Sequence, residues 1–227
     1  MNNYSIFDIV GPIMVGPSSS HTAGAARLAK FARLICGNSI KKVEFLLHGS
    51  FSKTYKGHGT DKALVAGILG MDPWDDNLKD SFEIAKEKGI DFTFKEADLG
   101  EVHPNTVKFI ITKKDGKVSQ ITGSSIGGGN MVIFNIDGQA IEFRGEYPTL
   151  LTTHKDTPGV ISKITTMLYM ENVNIASMKV YRNSRGLEAT MAIETDNIIP
   201  GHIVNVIEKI PEIKNMKIIN PIVEGEI

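Results

Sequence analysis

Cysteine is scarce in this sequence, with Cys36 the one thiol among 227 residues. A single cysteine excludes an internal disulfide. By itself it supplies neither the four thiolates that usually hold an iron–sulfur cluster nor the ligands of a structural zinc site. Its place next to Gly37, at the end of a predicted helix, is typical of a small buried hydrophobic side chain. The residues therefore predict no metal site on this chain.

Long apolar runs and an excess of one charge are also missing. No segment approaches the roughly 18 apolar residues of a membrane-spanning helix. The net charge is −1, with 17 basic and 17 acidic residues up to Tyr147 and 8 and 9 beyond it, which argues against a nucleic-acid footprint. No basic stretch precedes an apolar one after Met1, so we expect no secretory signal and a cytoplasmic protein.

A run of three serines and a histidine is the most informative segment present. Ser18, Ser19 and Ser20 precede His21 and Thr22, and small residues follow. This pattern predicts a polar loop that enters a helix N-terminus, where free backbone N–H groups attract a carboxylate or phosphate. His21 would place a proton-transfer group beside that anion. An ordinary helix cap is the simpler alternative for each serine taken alone.

Hydrophobic spacing predicts an α+β first domain. Apolar residues at helical intervals indicate helices over 22–36, from Thr60 or Asp61 to 69, and over 77–88. A short apolar run over 43–47 indicates a buried strand, and alternation from Asp91 onward indicates an antiparallel sheet. We expect functional loops over 18–22, 48–60 and 123–130.

The rest of the chain predicts a second, smaller domain. Strand and helix patterns follow one another in the order β-α-β-β-α-β, which is the ferredoxin-like split unit. We expect domains over residues 1–146 and 147–227.

Further candidate binding residues lie in the two later loops. Lys53, His58 and Thr60 combine a cation, an imidazole and a helix start, which suits carboxylate binding and proton transfer, although a solvated turn is as good an interpretation. Asn130 follows three glycines that would let a ligand approach the backbone, but the spacing is not that of a dinucleotide fold, and a flexible turn is the simpler interpretation of this segment alone. A serine hydrolase is disfavoured because no strand-elbow motif surrounds the serines.

The second domain offers its own candidate ligand site. Pro158 and Gly159 at a helix start would expose backbone N–H groups to an amino-acid carboxylate. Asp156 or an asparagine carbonyl would hold the ammonium group of the same ligand. A structural turn is the alternative. The candidate regulatory residues are His154, Asp156, Gly159, Asn172 and Asn174.

Five motifs together resemble one family. They are Gly16–Thr22, His48–Ser50, Gly57–Asp61, His103–Thr106 and Gly123–Asn130. In this combination the chain resembles the beta subunit of the two-chain, iron–sulfur-dependent L-serine dehydratases over nearly its whole length. The resemblance implies that the first domain is similar to the allosteric substrate-binding domain of some phosphoglycerate dehydrogenases. It implies that the second is an amino-acid-sensing ACT domain.

The resemblance also implies a reaction and its partners. The reaction is the lyase conversion of L-serine to pyruvate and ammonia, a step of amino-acid metabolism that feeds gluconeogenesis. A [4Fe-4S] cluster on a partner alpha chain would act as a Lewis acid on the substrate hydroxyl. His21 and His58 are the candidate acid, base or orienting groups, and the other chain is the alternative source of the base. The candidate substrate contacts are Ser18, Ser19, Ser20, Thr22, Lys53, Thr60 and Asn130.

Regulation and assembly complete these expectations. L-serine is the first candidate ligand of the ACT domain, and self-association through that domain would cover the edges of its sheet. The alternative function is a non-catalytic amino-acid sensor that regulates a partner. The serine and histidine cluster favours the enzyme, because a sensor needs no histidine pair beside its anion site.

Overall fold

A computed structural model describes residues 12–182 and 184–222 of the chain. The chain forms two compact units, of which the first ends at Asp137 and the second begins at Gly138. The boundary expected from the sequence, between residues 146 and 147, lies slightly later and stays a prediction. No helix in the described part of the chain is long and apolar enough to span a membrane.

Helices of the first unit bury the faces that the spacing predicts. A π turn (Ser19–Ala23) leads into α1 (Gly24–Cys36), and α2 (Gly49–Thr54), α3 (Thr60–Leu69), a 3₁₀ segment (Asp76–Asp80) and α4 (Ser81–Glu87) follow. Leu28 and Phe31 of α1 are fully buried, and Gly37 ends the helix with φ 90°. Helices α1 and α3 approach closely at Gly67, where an added Cβ would lie 2.2 Å from the Ala26 carbonyl oxygen.

Five strands of the first unit form a mixed sheet. They are β1 (Ile40–Leu47), β2 (Asp91–Glu96), β3 (Thr106–Lys113), β4 (Val118–Gly127) and β5 (Asn130–Ile136), in the spatial order β2-β1-β3-β4-β5. Phe45, Phe109 and Ile121 lie opposite one another on β1, β3 and β4 and are fully buried. The core thus lies between this face of the sheet and the helices.

Three local expectations for the first unit are wrong. The sheet is not purely antiparallel, because the helices between β1 and β2 return the chain to the end where β1 began, so that these two strands run parallel. The loop expected over 48–60 contains helix α2, and most of the loop expected over 123–130 belongs to strand β4, which continues to Gly127. Within this stretch the pairing of β4 with β5 shifts register between Ser125 and Gly127, and the turn at Gly128 and Gly129 joins the two strands.

The second unit confirms the expected order of elements. After β6 (Gln139–Phe143) come β7 (Thr149–Lys155), α5 (Val160–Met170), β8 (Ile175–Arg182), β9 (Glu188–Thr195), α6 (Gly201–Ile207) and β10 (Ile213–Ile219). From β7 onward this is β-α-β-β-α-β, with the spatial strand order β10-β7-β9-β8. Leu150 and Met191 of the sheet pack in one core with Ile164 and Leu168 of α5 and Ile207 of α6. Together the two units confirm the α+β class.

Candidate active site

The serine run forms a capped π turn rather than an open loop. Ser18 has an extended backbone, and its hydroxyl accepts a hydrogen bond from the His21 N–H at 3.1 Å. Its carbonyl accepts the N–H of Thr22 at 2.8 Å and that of Ala23 at 3.4 Å. Single π turns are rare and are frequent at functional sites. Ser18 therefore acts as the helix cap that the sequence offered as the simpler alternative.

The His21 ring lies among residues from two other segments. Its centroid is 4.8 Å from that of His58 and 5.3 Å from that of Phe51, each in an edge-to-face arrangement. Its Nε2 lies 3.1 Å from the Ser50 hydroxyl oxygen. The π turn, α2 and the segment before α3 therefore meet at His21, and the two histidines expected to act together do lie side by side.

Burial and a neighbouring ring change the protonation of His21. Burial lowers the pKa of His21 below its ordinary value, and the charge that His58 can carry lowers this pKa further. His21 is therefore a neutral imidazole at neutral pH, and one of its ring nitrogens can accept a proton. His58 is exposed.

The two threonines predicted as substrate contacts are both buried. Thr22 is 1% exposed, and its hydroxyl donates to the His58 carbonyl oxygen at 3.1 Å, which ties the His58 segment to the π turn. Thr60 is fully buried at the start of α3, and its hydroxyl has no hydrogen-bond partner among residues 12–182 and 184–222. In this conformation a ligand does not reach Thr60, so a role in substrate binding would require the segment to move.

The remaining predicted contacts differ in their surroundings. Ser19 and Ser20 are half-buried, and within the described residues their hydroxyls make no hydrogen bond. Lys53 and Asn130 are exposed, and neither is hydrogen-bonded to His21 in that same part of the chain. Within the described residues, the hydroxyls of Ser19 and Ser20 are thus available to a ligand near His21 in sequence, whereas Lys53 and Asn130 make no hydrogen bond to His21.

Two neighbours of His21 were not singled out from the sequence. Ser50 and Phe51 lie in α2, 29 and 30 residues after His21 along the chain. Both lie in the functional loop expected over 48–60, and Ser50 also belongs to one of the motifs that carried the family resemblance. Its contact with His21 depends on the packing of α2, a short helix that the sequence analysis did not predict.

The described residues do not form a metal centre. No group of three or more His, Cys, Asp or Glu side chains that could hold a metal ion occurs within residues 12–182 and 184–222. Cys36 is buried in α1. A four-thiolate cluster does not fit this set of side chains.

The candidate regulatory residues of the second unit fall into two groups. Asp156 and Gly159 lie just before α5, whereas Asn172 and Asn174 follow its end. Eleven helical residues span about 16 Å, so one amino acid cannot contact both groups in a single copy of the unit. His154 is 2% exposed, and burial lowers its pKa.

The side chains of Asp156 and Asn174 already have hydrogen-bond partners. The Asp156 carboxylate accepts hydrogen bonds from the Gly186 N–H at 3.0 Å and from the Arg182 guanidinium at 3.2 Å, which lower its pKa. The Asn174 amide donates to Asp196 at 2.6 Å. These contacts leave Asp156 only part of its acceptor capacity for a ligand.

Comparisons with known proteins agree with the two-unit architecture. The family described as serine dehydratase beta chain matches residues 5–135, and the ACT domain family matches residues 149–212. The L-serine dehydratase beta chain of Peptoniphilus asaccharolyticus is 50% identical over 197 residues, which cover 86% of this chain and 89% of that one. A probable L-serine dehydratase beta chain of Bacillus subtilis is 42% identical over 213 residues, which cover 94% of this chain and 96% of that one.

A more distant relative is a longer protein, and part of it is similar to most of this chain. A D-3-phosphoglycerate dehydrogenase of Methanocaldococcus jannaschii is 29% identical over 202 residues, which are 86% of this chain but 37% of that protein. The beta-chain relatives, by contrast, match almost from end to end. With the family match over more than half of its length and two such relatives, the chain belongs to the serine dehydratase beta-chain family.

Proposed function

We propose that this chain is the beta subunit of a two-chain L-serine dehydratase, which converts L-serine to pyruvate and ammonia. The observation that carries the proposal is the pair of His21 and His58 rings, 4.8 Å apart, with His21 inside the serine-rich π turn, in a chain of this family. A pure sensor would need no proton acceptor of lowered pKa at its binding site.

The chemistry divides among these residues. The substrate carboxylate would accept hydrogen bonds from Ser19 and Ser20, which orients the amino acid beside the imidazoles. Neutral His21 can take a proton, and exposed His58 can exchange one with solvent or substrate. Loss of water needs a base for the α-proton and assistance to the departing hydroxyl. His21, His58 and a group of the partner chain all remain candidates for the base.

An alpha chain that carries a [4Fe-4S] cluster is part of the proposal. The single cysteine of this chain supports it, because a cluster held by several thiolates needs a second polypeptide. The cytoplasmic location and the link to gluconeogenesis expected from the sequence stay predictions.

Assembly with a candidate alpha chain tests the proposal directly. The two chains are expressed together and purified without oxygen through a tag on this chain, and pyruvate formation from L-serine is measured. We expect co-purification and activity of the mixture, with no cluster and no activity for this chain alone. An iron-loaded, active preparation of this chain alone would contradict the division of labour. An assembled but inactive pair would favour the sensor.

Self-association through the ACT domain is a further part of the proposal. Strand β8 lies at one edge of its sheet, and Met178 and Val180 are about 40% exposed on it. They lie opposite the core residues Ile193 and Met191, so they share the face that the helices cover. A second copy placed against this edge would cover both side chains.

A twofold arrangement would also complete a ligand site. It would bring Asp156 and Gly159 of one copy near the partner's Asn172 and Asn174, which the length of α5 separates within one copy. We expect the full chain to bind L-serine in isothermal titration and to lose this heat in Asp156→Ala and Asn172→Ala but not in Asn215→Ala, an exposed amide on β10. A dimer that gives no heat with any amino acid would leave association as the sole role.

A further inference from the structure

We propose that Ser125 is a positioning residue for His21, holding the π turn in the conformation that directs the His21 ring toward Ser50 and His58. Ser125 lies within the functional loop expected over 123–130, but the sequence pointed to no individual role for its side chain. The effect on turnover rests on the proposed function, whereas the effect on the His21 ring does not.

Ser125 reaches the π turn from the sheet. It lies in β4 and is fully buried, and its hydroxyl donates to the Ser20 carbonyl oxygen at 2.8 Å across 105 residues of sequence. Its own N–H donates to the Asn105 carbonyl oxygen at 3.0 Å. The side chain is therefore fixed by the sheet, and it fixes in turn the peptide group between Ser20 and His21.

Gly24 provides the space for this contact. A Cβ added at Gly24 would lie 2.0 Å from the Ser125 hydroxyl oxygen and 2.9 Å from its Cβ. The N–H of Gly24 donates to the Ser19 carbonyl, which closes the π turn. Gly24 is the first residue of helix α1, and because it lacks a Cβ the Ser125 hydroxyl can pack against the helix start.

The π turn explains why the hydroxyl matters for His21. An extra residue within a helical turn changes the direction of the neighbouring side chains by about 100° relative to an uninterrupted α-helix. The hydroxyl of Ser125 binds a carbonyl inside this turn and stabilises the wider form. Without it, relaxation toward an α-helical turn would take the His21 ring away from Phe51, His58 and Ser50.

Ser124 supplies a matched control for this experiment. It is the adjacent residue of β4, is 2% exposed, and its hydroxyl oxygen lies 2.6 Å from that of Thr106. Because successive strand residues face opposite sides, its side chain points away from the helices. Both Ser125→Ala and Ser124→Ala remove one buried, hydrogen-bonded hydroxyl, but only the first loosens the π turn.

Nuclear magnetic resonance of the imidazoles in the full chain is the primary test. In Ser125→Ala we expect weaker proton contacts from His21 to the Phe51 and His58 rings and a His21 pKa nearer its ordinary value. Ser124→Ala should leave both unchanged. If Ser125→Ala is too unstable to measure, Ser125→Cys keeps the same number of side-chain heavy atoms, with a sulfur somewhat larger than the hydroxyl oxygen, and weakens the donor. A folded Ser125 variant with wild-type His21 contacts and titration would overturn the proposal.

Turnover by the assembled pair is the second readout. Misplacing a reacting group by about 1 Å can lower a rate by about 100-fold, so we expect Ser125→Ala to lower kcat by about 10-fold to 100-fold with little change in KM. Ser124→Ala should stay within about 2-fold of wild type on the same reasoning. Equal losses in the two variants would assign the effect to lost stability and overturn the positioning role. If the wild-type pair does not dehydrate serine, the proposed function fails, while the measurements on the imidazoles still decide the role of Ser125.

Discussion

The hydroxyl oxygen of Ser50 lies 3.1 Å from Nε2 of His21, although 29 residues separate them in the chain. A histidine whose one nitrogen has a fixed partner is held in one orientation, and the other nitrogen is left for a second partner or a proton. Ser50 therefore orients the ring that we propose as a proton acceptor or orienting group. The contact also joins α2 to the π turn before α1.

Replacing His21 tests whether this ring takes part in the reaction. If His21 moves or orients a proton, His21→Ala should lower kcat of the assembled enzyme by about 100-fold or more. His202→Ala is the control, because His202 is exposed in the second unit and pairs there with Glu171. Steady-state kinetics of both variants, folded and assembled with the alpha chain, measure the two kcat values. Wild-type turnover by His21→Ala would reduce His21 to a structural role.

Replacing His58 should change the titration of His21. The charge on His58 contributes to the low pKa of His21, so the neutral side chain in His58→Gln should raise this pKa toward its ordinary value without restoring it, since burial remains. A titration followed by magnetic resonance measures the shift. An unchanged or lower His21 pKa would contradict the expected electrostatic effect of His58 on His21.

The same pKa shift makes stability depend on pH. Since folding lowers the pKa of His21, the unfolded chain binds a proton at a higher pH than the folded chain does. The contribution of His21 to stability is complete above the ordinary value of about 6.5 and declines as the pH falls below it. Urea unfolding between pH 8 and pH 5 should show a smaller decline in His58→Gln than in wild type. If the free energy of unfolding declined equally with pH in the two proteins, His58 would not be a cause of the lowered His21 pKa.

Ser18 and Ser19 should respond differently to the same substitution. Loss of the Ser18 cap in Ser18→Ala should lower the free energy of unfolding by about 1 kcal/mol. Ser19→Ala should mainly raise KM for L-serine, provided that this hydroxyl binds the substrate carboxylate equally in the ground and transition states. Denaturant unfolding and steady-state kinetics on both variants separate the two effects. A normal KM in Ser19→Ala would exclude that contact.

Gly67 is expected to be essential for the packing of α3 on α1. A Cβ there would lie 2.2 Å from the Ala26 carbonyl oxygen and 2.6 Å from the Ala29 Cβ, so Gly67→Ala should destabilise the first unit by about 1–3 kcal/mol. Fluorescence of Trp74, the one tryptophan of the chain, follows this unit during unfolding. Gly57→Ala is the control, because a Cβ at Gly57 would lie 3.8 Å from its nearest neighbour, the Thr54 carbonyl oxygen. Equal stabilities of the two variants would contradict this account.

The sequence by itself determined the elements whose pattern is local. Apolar residues at helical spacing predicted α1, and its buried Leu28 and Phe31 confirm the face. Alternation and turn residues predicted the β-α-β-β-α-β order of the second unit, because each strand and helix there carries a complete apolar face of its own. The five motifs carried the resemblance to the family, and the single cysteine agrees with a cluster on another chain.

Only the tertiary structure decided the contacts around His21. Helix α2 buries a single large side chain, Phe51, so its short sequence lacks a helical pattern. The pairing of β1 with β2 depends on the path of the intervening helices, and β4 continues through glycines that usually indicate a loop. The contacts of Ser50 and Ser125 with the π turn join residues 29 and 105 positions apart. Such contacts form only when whole elements pack, which is a property of the folded chain and not of any local run of residues.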